Sequence, residues 1–268
     1  IWYFLIFLSI LSLIRTISLI YNSYLPDFSV YYFSAKAVGS GINPYLIPNL
    51  FTGLNYPPVT LMLFLPFIIF DYNFASNVWI IISVLFWVVS LCLLHKIKPL
   101  SSIKLSVFLL GSVVSFPFKF SLGMGQVNFA LLFLICFFLY TFIKKKYISS
   151  PLLLAFGTVV KVLPVIFVIN LIIFKKINIV VYFLIFLCIL IAFSLLVIKP
   201  EFTHFYVSVV FPDLISNNNI PIYYNQSLTG FLSRIHFVEV INISRAILIM
   251  TTLFVLFTAF FIFCFSGI

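Results

Sequence analysis

Any acid–base chemistry by a carboxylate in this chain must use one of five residues: Asp27, Asp71, Glu201, Asp213 or Glu239. Asp71 stands in FDYN, where an aspartate ordinarily makes a turn or caps a helix. Glu201, Asp213 and Glu239 lie in or beside one long connection, 199–244. Asp27 follows the apolar run 1–20 and opens the stretch DFSVYYFSAKAVGSGINPY. With Pro26 before it and an apolar-periodic segment after it, Asp27 makes a good helix N-cap. The second reading is a general base at a membrane surface, which requires a carboxylate oxygen left free.

A few other polar residues stand out against an apolar background. GMGQVN at 123–128 places Gln126 and Asn128 at the start of a long apolar run. By spacing they are helix caps or interhelical hydrogen-bonding groups. Lys161 interrupts the apolar run 150–173 in VVKVLP. An ionisable side chain there needs a partner, a wet cavity or a route to the interface. An anionic lipid phosphate is an apt partner. His204, in EFTHFY, reads as an acid–base group or as an interface residue among aromatics. Asn225, Gln226 and Arg234 are the remaining polar candidates of the second connection. No Gly-rich phosphate loop, DxD pair or zinc-ligand spacing is present, so nucleotide-sugar and ATP chemistry gain no support and no metal is expected.

The elements that must position these residues are membrane helices. Only 7% of the residues are charged and 64% are hydrophobic. A soluble domain carries about 25% charged residues, so lipid has to be the solvent here. The net charge of +10 comes from short basic clusters between apolar runs and not from a nucleic-acid face. The clusters are Lys96, Lys98 and Lys104, then Lys144, Lys145 and Lys146, then Lys175 and Lys176, as in cytoplasmic loops. The apolar runs are 1–20, 57–70, 74–94, 105–117, 127–143, 150–173, 178–198 and 245–266.

Two runs are poor crossings. Residues 57–70 would make a helix of about 21 Å, against a hydrocarbon core of about 30 Å, and carry Pro58 and Pro66. The run 150–173 contains Gly157, Lys161 and Pro164 and reads as two short helices with Lys161 at the tip. If 57–70 does not cross and 150–173 doubles back, every basic cluster falls on the cytoplasmic side. Both long connections, the Lys161 tip and a turn at 118–126 then share the opposite face. In the first connection an interfacial helix is expected, with Phe28, Tyr31, Ala35 and Val38 on one side and Ser29, Lys36 and Ser40 on another. The expected fold is thus an all-α, multi-pass integral membrane bundle. Its single polytopic domain, 1–268, begins at Ile1 and stops in or just after an apolar run, as a fragment cut at both ends would.

The ordered motifs resemble glycosyltransferase family 87, membrane enzymes of the GT-C type. They are Asp27 with VYYFSAKAVGSGINPY, NYPP at 55–58, Pro66, GQVN at 125–128, KVLP at 161–164 and NQSLTGFLSR at 225–234. The resemblance covers about 25 to 234. It implies a GT-C-type helical bundle with an extracytoplasmic active site and Asp27 as catalytic base. The donor would be a hexose, with mannose expected, on a polyprenyl phosphate. The acceptor would be a lipid or glycan, and displacement at the anomeric carbon would invert it. Lys161, Arg234 and His204 become candidates for holding the leaving phosphate. Gln126, Asn128, Asn225, Gln226 and the motif tyrosines Tyr45 and Tyr56 become candidates for binding substrate. Membrane lipids, the lipid-linked donor and the acceptor are the expected partners, without nucleic acid or a separate cofactor. The expected location is a prokaryotic plasma membrane. The rival reading is a transporter or flippase of a lipid-linked substrate, which would also use broken helices and a lysine near the midplane.

Overall fold

A computed structural model describes residues 1–216, all of them in helices, turns and connections with no strand among them. They fall in two units, Ile1–His204 and the residues from Phe205 onward. In the second unit the described part is one π-helical turn, Tyr206–Val210, followed by the short helix Phe211–Ser216.

The first unit contains three helices long and apolar enough to cross a membrane: α1 (Trp2–Ile20), α4 (Tyr72–Ile97) and α10 (Ile177–Val197). A fourth candidate is bent by 52°, from α5 (Ser102–Val114) into α6 (Phe116–Met124). The bend lies at Ser115, which leaves the helical region and whose Oγ accepts the Phe118 N–H, while Pro117 starts the new helix. The expected turn at 118–126 is therefore mostly helix. A capping serine and a proline restart the helix there and move the turn to Gly125.

Residues 57–70 do not form one helix. They divide into α3 (Pro58–Leu61) and a 3₁₀ turn, Leu65–Ile69, each with proline in its first positions. Leu61 and Phe64 are fully buried, so this segment fills protein instead of facing lipid along its length. α2 (Pro26–Gly39) differs from the expected surface helix. Ser29 and Ser34 are as fully buried as Phe28 and Ala35, because α3, α4, α6 and the 3₁₀ turn all pack around it. Lys36 keeps an exposed position.

α7 (Asn128–Ile143) runs parallel to α4. Phe133 stacks on Phe86 at 5.1 Å, and one turn further on the Cys136 thiol meets Ser90. α8 (Ser149–Val160) returns along α7. The chain then breaks at 161–164 and continues as α9 (Val165–Ile173). Lys161 reaches Asn128 at the head of α7, whereas the Phe167 ring meets Phe138 at 5.5 Å. Phe138 is ten residues, about 15 Å, down α7 from Asn128. The chain therefore descends again after Lys161, and 149–173 is a re-entrant hairpin with the lysine at its tip. α10 carries it back to Lys199, whose Nζ donates to the Gly41 carbonyl at 3.3 Å. The three basic clusters consequently share one end of these helices. α2, α3 and the hairpin tip share the other, with the single lysines Lys36, Lys161 and Lys199.

Candidate functional site

The polar residues at that end converge because of one glycine. Gly125 caps α6 in the left-handed region, with φ of 71°. A Cβ there would lie 2.6 Å from the Phe28 Cβ and 3.1 Å from the Leu25 Cβ, so no side chain fits. The bare backbone lets the 125–128 turn lie directly on the first turn of α2. Trp79 locks it there: its Nε1 donates to the Gly125 carbonyl at 2.9 Å, and its ring stacks on Phe28 at 5.8 Å. Trp79 is two turns into α4, so the junction is recessed about 10 Å from the start of that helix.

Asp27 is not the cap of α2. Leu25 holds the N-cap position without a side-chain hydrogen bond, and Pro26 fills the first helical position. Proline already removes one first-turn donor, and the register moves Asp27 inside the helix. Its charge is still favoured by the helix dipole. Asp71 does cap: its Oδ1 accepts the Phe74 N–H of α4 at 3.0 Å.

The Asp27 carboxylate instead accepts from the side-chain amide of Gln126. Gln126 Oε1 in turn accepts from Asn128 Nδ2 at 2.6 Å and from Ser121 Oγ at 3.1 Å. Asn128 Oδ1 accepts from Lys161 Nζ at 3.3 Å. An ammonium only donates and a carboxylate only accepts, so the direction of both amides between them is determined. Burial raises the Asp27 pKa above the usual carboxylate range. The Gln126 hydrogen bond and the Lys161 charge oppose that rise.

Two phenols complete the cluster. Tyr31, one turn after Asp27, donates to Tyr56 Oη at 3.3 Å and accepts from the Val127 N–H. Burial holds the Tyr31 pKa well above its usual value, with Tyr56 and the Asp27 charge adding to it, so Tyr31 remains a donor. Tyr56 is also raised, first by burial and then by Asp27, against the opposing bond from Tyr31. Tyr45 Oη donates to the Tyr56 carbonyl at 2.9 Å. At the far side, Thr60 Oγ1 donates to the Val159 carbonyl at 2.8 Å and ties α3 to the last turn of α8, just before Lys161.

Of the candidates read from sequence, the structure brings together Asp27, Gln126, Asn128, Lys161 and Tyr56, with Tyr45 behind Tyr56. His204 lies exposed on α11 (Pro200–Phe205). Asn225, Gln226 and Arg234 lie outside the described residues, as does Glu239. Sequence reading missed Tyr31 and Ser121 as members of the cluster. The four-residue spacing from Asp27 puts Tyr31 on the same helix face and was a usable signal. Ser121 had none, because a bend and a left-handed glycine bring it to Gln126.

Comparison with known proteins bears on these same segments. A sequence profile of glycosyltransferase family 87 matches residues 54–266. The match includes NYPP, GQVN, KVLP and NQSLTGFLSR, and Asp27 precedes it. No curated protein and no solved structure matches the chain. A match over well more than half of the residues, with membrane helices throughout the first unit, leads to one conclusion: the chain belongs to glycosyltransferase family 87 and is a membrane glycosyltransferase.

Proposed function

We propose that the chain transfers a hexose, with mannose the expected sugar, from a polyprenyl-phosphate donor to a lipid or glycan acceptor. The observation that carries this reading is a carboxylate and an ammonium joined through two amides in one recessed cluster. The acceptor hydroxyl gives its proton to Asp27 as its oxygen attacks the anomeric carbon. The bond from that carbon to the phosphate oxygen breaks, and the electron pair leaves with the lipid phosphate. Lys161 stabilises the charge that develops there. A single displacement inverts the anomeric centre.

Depth supports a lipid-linked donor. α7 has 16 residues, so the cluster at its head stands about 24 Å from the lysines that follow its other end. The hydrocarbon core is about 30 Å thick, so with those lysines at one edge the cluster lies about 6 Å inside the other, a depth that favours a lipid-linked donor over a water-soluble one. The shared end of the basic clusters supports an extracytoplasmic site in a multi-pass protein of a prokaryotic plasma membrane. Family membership favours transfer over transport.

The test is transfer of labelled mannose from polyprenyl-phosphate mannose to extracted membrane lipids by the purified protein. Transfer by the native protein, and transfer slowed by about 10²–10⁴-fold in Asp27→Asn, is the expected result. Movement of the donor across vesicles without any transfer would replace this reading with the flippase.

A further inference from the structure

The hydrogen bonds of the cluster run one way. Lys161 donates to Asn128, Asn128 to Gln126, and Gln126 to Asp27. Neither amide can be reversed while both ends keep their charges, since reversal would turn Asn128 Nδ2 toward an ammonium or Gln126 Oε1 toward a carboxylate. We propose that Gln126 and Asn128 are positioning residues. They hold one oxygen of Asp27 in place and link the base to the cation that meets the leaving phosphate. The inference rests on the transferase reading for its role in catalysis, but the linkage itself is a property of the protein alone.

The geometry gives the linkage three features. The Asn128–Gln126 bond is short, 2.6 Å, and is braced by Ser121, which accepts from Asn128 at 3.1 Å and donates to Gln126 at 3.1 Å. The Lys161–Asn128 bond is longer, 3.3 Å, and Lys161 is exposed, so the cation has donor protons to offer a phosphate without leaving Asn128. Among the described residues, the carboxylate, Tyr31, Tyr56 and Lys161 are the titratable groups that act on one another here. Gln126 and Lys161 both favour the ionised carboxylate, against burial. Holding one oxygen through Gln126 leaves the second for the acceptor hydroxyl.

Asn128→Asp tests direction separately from packing, because it preserves shape. An aspartate at 128 still accepts from Lys161 but cannot donate to Gln126. The Gln126 amide then turns its N–H groups to the new carboxylate and its Oε1 to Asp27. Deprotonation of Asp27 becomes harder, and its titration moves to higher pH. Asn128→Leu, which removes the link without adding a charge, moves it in the same direction by a smaller amount. The carboxyl carbons of the three aspartates at 27, 71 and 213 can be labelled with carbon-13 in the whole protein. Their titration is then followed by NMR, and Asp27→Asn identifies the resonance of Asp27.

The expected result is an upward move of the Asp27 midpoint by about one pH unit in Asn128→Asp, or tenfold in proton affinity. The acid limb of kcat/KM moves with it, and the activity lost near neutrality returns at alkaline pH. An unmoved Asp27 midpoint in both variants overturns the proposal, whatever their activity. A uniform loss of rate at every pH with the limb in place shows a packing role and also overturns it. If Asp27→Asn retains full transfer, the reading of Asp27 as the base fails, while the NMR titration still decides the linkage.

Discussion

Two aspartates begin helices at the same end of this protein and do different work. Asp71 precedes α4 and spends an oxygen on the Phe74 N–H, as its turn sequence predicts. In sequence Asp27 has the outward signs of a cap, a proline before it and an apolar-periodic segment after it. In the structure Leu25 and Pro26 occupy the cap and first positions, and Asp27 sits two residues too deep to cap. Its oxygens turn instead to a turn 99 residues later, at Gln126. The difference teaches that a cap is assigned by register, and a proline at the first helical position can shift a carboxylate from a local partner to a distant one.

The comparison breaks most clearly by removing each charge. Asp27→Asn should reduce sugar transfer by about 10²–10⁴-fold, the range for loss of a general acid–base group, and leave expression and membrane insertion intact. The measurement is initial rate with labelled donor. Full activity would return Asp27 to a structural role. Lys161→Met should come next, with a loss of about 10-fold or more in kcat/KM that is strongest when the donor concentration is limiting. Equal donor KM and kcat in variant and native protein would remove the lysine from the site.

pH sharpens the contrast. The Asp27 pKa lies above the usual carboxylate range because of burial, so activity should fall as pH drops through that raised value and the base takes a proton. Stability should move oppositely. In the window between the ordinary and the raised pKa, the folded chain holds a proton that the unfolded chain has released, so stability declines as pH rises through it. Asp27→Asn should abolish both dependences, read from rate profiles and from thermal unfolding in detergent. Asp71→Ala should do neither. Its expected effect is the smallest, a loss of about 1 kcal/mol of stability with transfer unchanged.

Much of the fold was legible because lipid imposes a coarse rule. Apolar runs of about 20 residues had to be spans, and prolines at 58 and 66 with Lys161 in mid-run had to mark broken segments. The re-entrant hairpin at 149–173 follows that expectation. The helix at 116–124 did not, since the sequence reading ends an apolar run at 117 and makes 118–126 a turn, and only the Ser115 cap restarts the helix there. The burial of α2 was equally hidden, because Ser29 suggests a wet face and only the elements packed around the helix cover it.

The sequence by itself determined the solvent, the helices, the scarcity of carboxylates and the family pattern. Each follows from residue type and short-range spacing, which act before any tertiary contact forms. Only the tertiary structure decided which groups Asp27 meets. Its partner is brought to it by a left-handed glycine with no room for a Cβ, an indole hydrogen bond from α4 and a hairpin tip that carries Lys161 to Asn128. These contacts join residues far apart in the chain, and no local pattern encodes which oxygen accepts from which amide. The physical reason is that a buried carboxylate must find donors wherever packing supplies them.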